Sequence, residues 1–260
     1  MHHTHIDRIA SLSGPLHAMD PRVKLLATLA FVLLVVLTPD GWFISFGAYA
    51  ALLVLVMAVS RLPVSYIAVR SLTIIPFALA VSIFVPFITP GPVIREYSAG
   101  PFDVIVTSTG LIRFASLGLR ALISFFATIM LVASTRFGDL MCAAGKLGMP
   151  SKIVAVMSFM YRYLFIVIDE ASHMMLARDL RSFRGKKFSL LTASGGIIGA
   201  LFVRSLEHAE LLYNAMLLRG YNGKPATLAP MYIDIADIVY SSVFMSAATA
   251  AFLIGRSVHA

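Results

Sequence analysis

Charge is scarce in this sequence. Asp, Glu, Lys and Arg together make up 13% of its 260 residues, about half the ~25% of an ordinary soluble domain. Hydrophobic residues supply 59% and the mean hydropathy is +0.87. A soluble chain of this length has no single core large enough to hide so much apolar surface, so lipid is the expected solvent. Cysteine is nearly absent too. The lone Cys142 excludes a disulfide framework and a thiolate metal cage, and within Leu140-Met141-Cys142-Ala143-Ala144 it reads as a small buried apolar residue. There is no G-x-x-x-x-G-K-[ST] loop, which excludes ATP binding by that motif. No small-residue cleavage pattern follows the first apolar run, and the N-terminus opens on the polar Met1-His2-His3-Thr4-His5-Ile6-Asp7-Arg8. That run is therefore expected to be a first span rather than a signal.

Five segments are predicted to cross the membrane as helices: Val23 to Thr38, Trp42 to Ser60, Ser71 to Thr89, Leu111 to Ser134 and Asp237 to Gly255. Each approaches the ~17–25 residues needed to cross ~30 Å of hydrocarbon. The first is short, and its helix should begin nearer Asp20-Pro21, with Pro21 in the first turn. The segment Pro90 to Gly110, rich in Gly, Pro, Ser and Thr, reads as a loop despite the β-branched run Val104-Ile105-Val106-Thr107. Arg120 falls inside a span and should act as a structural anchor that faces protein or snorkels to the interface.

The +8 formal charge need not mean nucleic acid, because Lys and Arg concentrate in the cytoplasmic loops of membrane proteins. Here Arg8, Arg22 and Lys24 lie at the N-terminal end, Arg61 and Arg70 bound one short loop, and twelve more fall between Arg136 and Lys224. Arg95, Arg113, Arg120 and Arg256 are the remainder. This bias predicts a cytoplasmic N-terminus, a cytoplasmic stretch after the fourth span, and a C-terminus outside. The fold class is thus all-α and polytopic, with about five transmembrane helices plus long cytoplasmic helices. Its organisation is a four-span membrane domain over residues 1–137, a cytoplasmic region over 138–224 and a C-terminal span within 225–260.

Nothing in the pattern favours an active or metal site. His2, His3 and His5 sit at a terminus without a carboxylate cage, and His17, His173, His208 and His259 are scattered. Asp169 and Glu170 are adjacent, so on a helix they point ~100° apart and read as a solvated or partner-facing edge rather than a paired acid and base. Gly195, Gly196 and Gly199 read as small residues permitting close helix packing.

The region 139–224 repeats itself. After Gly148-Met149-Pro150, a helix capped by Ser151 should run to about Phe183, and a second from about Leu190 to Arg219. The ending Ala177-Arg178-Asp179-Leu180-Arg181-Ser182-Phe183-Arg184-Gly185 can be laid on Ala215-Met216-Leu217-Leu218-Arg219-Gly220-Tyr221-Asn222-Gly223 at an offset of 38. Ala, Leu, Arg, an aromatic two residues on and a closing Gly coincide, with the small Ser182 and Gly220 after the arginines. Arginine suits a helix C-terminus electrostatically, and a small residue lets the chain turn away. Simple capping would explain one such ending. Two in register, each with an aromatic beside a five-donor guanidinium, point instead to paired docking surfaces for acidic partner grooves. Arg181, Ser182, Phe183, Arg219, Gly220 and Tyr221 are the candidate site.

The sequence resembles the T (energy-coupling transmembrane) component of energy-coupling-factor importers, most closely the cobalt-type CbiQ family. The likeness rests on Ile6-Asp7-Arg8, Met19-Asp20-Pro21-Arg22-Val23-Lys24-Leu25-Leu26, Gly110-Leu111, Leu147-Gly148-Met149-Pro150 and Tyr161-Arg162-Tyr163-Leu164-Phe165. The two short arginine signatures of that family resemble Leu180-Arg181-Ser182 and Leu218-Arg219-Gly220, where Leu replaces the usual Ala in both and Ser replaces Gly in one. The resemblance implies a non-catalytic subunit in a bacterial cytoplasmic membrane, linking two ABC-type ATPases to a membrane S component that binds substrate, with room for a small accessory membrane subunit. It implies that Arg181 and Arg219 engage the ATPases, that ATP and Mg are held by those partners, and that this chain carries no cofactor and meets no nucleic acid. Cobalt is the implied cargo, with a nickel-dedicated or shared vitamin-type T component as the alternative.

Overall fold

In the computed structural model, the described residues are 16, 19–60, 70, 76, 80, 82–90, 92–99, 102–181, 187–223 and 234–259. The chain divides into two compact units, one built from residues 141–230 and the other from 2–140 with 231–260. The second unit holds the helices α1 (Pro21–Leu37), α2 (Phe43–Ser60), α3 (Val85–Ile88) and α4 (Ser108–Ser134). A hairpin of β1 (Val93–Ala99) and β2 (Phe102–Thr107) precedes α4. After α5 (Phe137–Lys146), which runs across the division, the other unit carries α6 (Ser151–Arg181) and α7 (Lys187–Leu218), and α8 (Ile235–His259) returns to the bundle.

The ends of the helices follow local chemistry. Asp20 caps α1, its carboxylate accepting from the Arg22 N–H at 2.8 Å, with Pro21 in the first turn. Thr107 caps α4 by accepting from the Gly110 N–H at 3.3 Å. Ser151 is the first helical residue of α6 rather than its cap. The Ile153 and Val154 N–H groups donate to the carbonyl of Pro150, at 2.9 and 3.2 Å, so Pro150 takes the capping place.

α1, α2, α4 and α8 correspond to four of the five expected spans, and about half of the third, Ser71 to Thr89, lies outside the described residues. α2, α4 and α8 are each long and apolar enough to cross a membrane, as is Ser151–Leu180 of α6. That last segment was expected to belong to the cytoplasmic region, yet its first eighteen residues carry only Lys152 and Arg162 as charges. Apolarity of this kind suits lipid tails and apolar partner subunits equally.

The bundle has two recognisable ends. At one, the start of α1, the end of α4 and the start of α8 meet: Lys24 Nζ donates to the Ser134 carbonyl at 3.2 Å, and the Asp20 N–H donates to Asp237 Oδ2 at 3.2 Å. At the other, the turn between α1 and α2 meets α4, where the Gly41 N–H donates to Ser116 Oγ at 3.0 Å. α2 therefore finishes at the first end, while α3 packs beside the start of α4 at the second.

Between the ends the core is apolar. Phe31 of α1 meets the Tyr49 ring edge to face, centroids 5.6 Å apart, and the Phe244 ring at 5.3 Å. Val35, Phe46, Leu53, Ala127, Met130 and Ala248 complete it. The outward face of α1, Leu26, Leu29, Leu33, Val36 and Leu37, is apolar as well and half or more exposed, as lipid requires. α8 approaches α2 closely at Gly255, where a Cβ would lie 2.9 Å from the Trp42 ring and 3.2 Å from Ser45 Cβ. Nearby, Ser45 Oγ donates to the Ala251 carbonyl at 3.0 Å.

Two sequence expectations change here. Residues 93–99 and 102–107 pair as an antiparallel hairpin, Glu96 opposite Ile105, instead of a loop. An isolated two-stranded ribbon is marginal, but this one is pinned at its base, where Thr107 Oγ1 donates to the Thr89 carbonyl at 2.8 Å and the Ser108 N–H donates to that of Pro92 at 3.0 Å. Cys142 is half-buried rather than fully buried. Arg120 is the anchor it was expected to be. It donates to the Thr38 carbonyl and to Asp40 Oδ1, the latter at 2.8 Å, and its guanidinium lies 5.9 Å from the Phe46 ring centre.

Two substitutions probe this packing. Gly255→Val is expected to destabilise the detergent-solubilised protein by about 1–3 kcal/mol through overpacking, read as a lowered Tm. Arg120→Ala is expected to cost about 1–3 kcal/mol by stripping partners from a backbone carbonyl and a carboxylate. Arg113, which meets Asp40 at 3.6 Å with its side chain 52% exposed, should cost less than ~1 kcal/mol when replaced by Ala. Equal losses at the two arginines would contradict the anchoring role.

Candidate coupling surface

The unit of residues 141–230 is built on α6 and α7. Before them, α5 ends on Gly148 at φ +111, where the Met149 N–H donates to the Ala144 carbonyl at 3.1 Å. This is the six-residue closure of a Schellman turn, which needs the left-handed conformation that glycine adopts freely. α7 ends the same way. Gly220 has φ +78, its N–H donates to the Leu217 carbonyl at 2.9 Å, and the Tyr221 N–H donates to that of Met216 at 3.0 Å. The small residue after Arg219 is thus what lets the chain leave the helix and sets Arg219 at the rim.

An ion pair between Glu170 of α6 and Arg204 of α7 joins the two helices. Glu170 therefore faces its own neighbour rather than forming a partner-facing edge with Asp169. Arg181 ends α6 and Lys187 begins α7, a connection of six peptide steps that spans at most about 20 Å. With the pair held at Glu170 and Arg204, so short a connection forces the helices to run nearly antiparallel. At 1.5 Å per residue, the positions of Arg181 and Arg219 then lie about 35–40 Å apart, at opposite ends of the hairpin.

Of the candidate residues, Arg219 and Gly220 are exposed, Tyr221 is half-buried, Arg181 is the last helical residue of α6, and Ser182 and Phe183 lie outside the described residues. The residues that the sequence reading passed over are Leu180 and Leu218, which directly precede the two arginines. Leu218 is 91% exposed and Leu180 71%. They were already part of the 38-residue repeat, but a leucine near the end of an apolar helix reads as an inward-facing residue until its neighbours are placed. Each arginine position therefore follows an exposed apolar side chain, the composition of an interface anchor. Gly195, Gly196 and Gly199 do not pack as expected. A Cβ at any of them would meet nothing within 4 Å. His2, His3 and His5 lie outside the described residues, and among those described no group of three or more His, Cys, Asp or Glu is arranged to hold a metal ion.

The comparisons with known proteins bear on the chain as a whole. The CbiQ family model, described as cobalt transport protein, matches residues 13–228. The chain is 32% identical over 225 residues to an energy-coupling factor transporter transmembrane protein EcfT of Brevibacillus brevis, covering 80% of this chain and 81% of that one. It is 26% identical over 240 residues to an uncharacterized protein of Methanocaldococcus jannaschii, covering 90% of this chain and 80% of the relative. It is 24% identical over 143 residues to the cobalt transport protein CbiQ of Rhodobacter capsulatus, covering 55% and 59% respectively. A predominantly helical polytopic bundle, a helical hairpin ending twice on Leu-Arg and a family match across most of the chain agree: this integral membrane protein belongs to the CbiQ family and is a transmembrane component of the energy-coupling-factor type.

Proposed function

We propose that the chain is the non-catalytic coupling subunit of an ATP-driven importer of cobalt ions. Two ABC-type ATPases grip the hairpin of α6 and α7, one at each arginine-bearing end, and an S component that binds the ion rests against the membrane helices and the apolar faces of the hairpin. ATP and Mg belong to the ATPases. The observation that carries this reading is the pair of like endings, Leu180-Arg181 and Leu218-Arg219, each with its leucine more than two-thirds exposed; ideal helix rise would set them about 35–40 Å apart, a spacing suited to two separate subunits rather than to one. Movement of the ATPases towards or away from each other then acts on both ends of one stiff pair of helices. Each Leu-Arg ending offers an apolar anchor beside a guanidinium that pairs with carboxylates in bidentate fashion. The cobalt assignment is supported by the description of the family and by the name of the Rhodobacter relative.

In this reading the hairpin and the N-terminus lie on the cytoplasmic side of a bacterial inner membrane and the C-terminus outside, a topology supported by the basic residues of 136–224.

Charge reversal at both arginines, Arg181→Glu with Arg219→Glu, is expected to abolish co-purification of the ATPases while leaving the protein inserted. Retained association would refute the docking role. Leu218→Ala should weaken association about tenfold or more, equivalent to ~1.4 kcal/mol, with an unchanged Tm because so exposed a side chain supports little of the fold. Orientation is read separately. In a Cys142→Ala background, Leu218→Cys should react with an impermeant maleimide only in inside-out vesicles, and labelling in right-side-out vesicles would reverse the topology.

A further inference from the structure

Three helix ends converge at the Lys24 end of the membrane bundle, and their charges match their dipoles. α1 and α8 bring their N-termini, where carboxylates are favoured, and α4 brings its C-terminus, where a cation is. Asp237 Oδ2 accepts from the Asp234 N–H of its own helix start at 3.3 Å and from the Asp20 N–H at 3.2 Å, so one carboxylate ties α8 to the cap of α1. One turn along α1, Lys24 donates to the last helical carbonyl of α4, that of Ser134, and the carboxylates of Asp139, Asp237 and Asp20 all act on its ammonium. Asp20, Lys24, Ser134 and Asp237 are each buried.

The position of this knot along the chain matters as much as its chemistry. The chain leaves the bundle for residues 141–230 immediately after Ser134 and returns just before Asp237. Both covalent connections between the bundle and the hairpin are thus held by the first turn of α1, one by Lys24 and one by the cap residue Asp20. We infer that the knot of Asp20, Lys24, Ser134 and Asp237 is the positioning device that passes movement of the coupling hairpin into the membrane helices. The inference rests on the coupling role proposed above and adds the route by which motion enters the bundle.

Two further features suit the knot to movement. Its hydrogen bonding is incomplete: among the described residues Asp20 Oδ2 and Arg22 Nε are buried without hydrogen-bond partners, and Arg22 Nε stands 3.9 Å from Asp20 Oδ1, so a short rearrangement would let the two groups meet. A cavity of about 60 Å³ opens beside Lys24, lined also by Thr28, Ser134, Tyr240 and Ser241, which leaves the ammonium room to shift. From the knot, α1 runs as one rigid element to its far end. There the Thr38 carbonyl receives Arg120, and the single tryptophan of the chain, Trp42, packs on Phe252 of α8 at 5.6 Å. An element with two discrete arrangements, biased from outside, is what physical coupling between distant sites requires.

The test uses that tryptophan as a reporter. The chain is made with 5-fluorotryptophan, combined with unlabelled ATPases and S component, and its one ¹⁹F resonance is compared before and after trapping with ATP and vanadate. The wild-type complex is expected to shift on trapping. Lys24→Met, which keeps bulk and removes the ammonium, and Asp237→Asn, which keeps an acceptor oxygen and removes the charge, are expected to bind the ATPases and lose the shift. Lys24→Arg should retain it. A full shift in an assembled Lys24→Met or Asp237→Asn complex would overturn the inference. Loss of assembly in both would overturn it too, because the knot would then hold the fold rather than pass movement. An unshifted wild-type resonance with the ATPases bound would refute the transmission route while leaving the docking role standing. Failure of the wild type to bind the ATPases would refute the docking role itself.

Discussion

A charged side chain inside a bilayer has no water to turn to, and the placement of the few charges in this bundle governs the rest of the structure. They gather at its two ends. At one, Asp40 takes two arginines of α4 while Arg120 also serves the Thr38 carbonyl; at the other, Asp20, Lys24 and Asp237 join three helix termini. Between them runs a core of ring contacts and small residues with no buried ion pair among the described residues. Burying an unpaired charge is costly enough that each of these groups had to find a partner across helices. The partners chosen fix which helix ends lie together, and so fix the order of the bundle.

The same constraint separates the two units chemically. The bundle pairs most of its charged groups internally and shows lipid an apolar coat. The hairpin of α6 and α7 does the reverse: one described ion pair, Glu170 with Arg204, joins its helices, while Leu180, Ile198, Phe202, Leu211 and Leu218 stand more than two-thirds exposed. Apolar surface on that scale marks a place for neighbours.

Glycine matters at few positions. Gly220 supplies a left-handed turn that no other residue supplies without strain, and Gly255 lets α8 touch the Trp42 ring. At Gly195, Gly196 and Gly199 the chain gains neither, since open space surrounds them.

Membership in the helical membrane class was legible in composition alone, because nothing but lipid can solvate a chain with so little charge. The helix start at Pro21, the stop at Gly220 and the anchoring role of Arg120 were also legible, since each follows from local stereochemistry or from the high cost of one group in hydrocarbon. The 38-residue repeat announced two equivalent endings. What the sequence could not supply was everything that depends on one helix meeting another. A membrane helix is apolar on both its lipid face and its core face, so periodicity does not say which side of α1 holds Phe31 and which holds Leu29. No pattern pairs Asp20 with Asp237 across 217 residues, turns Glu170 inward, leaves Leu218 bare or sets the two arginine positions at opposite ends of a hairpin. Those were decided by tertiary packing, because the energy of a buried charge or an exposed leucine depends on its neighbours rather than on the residues beside it in the chain.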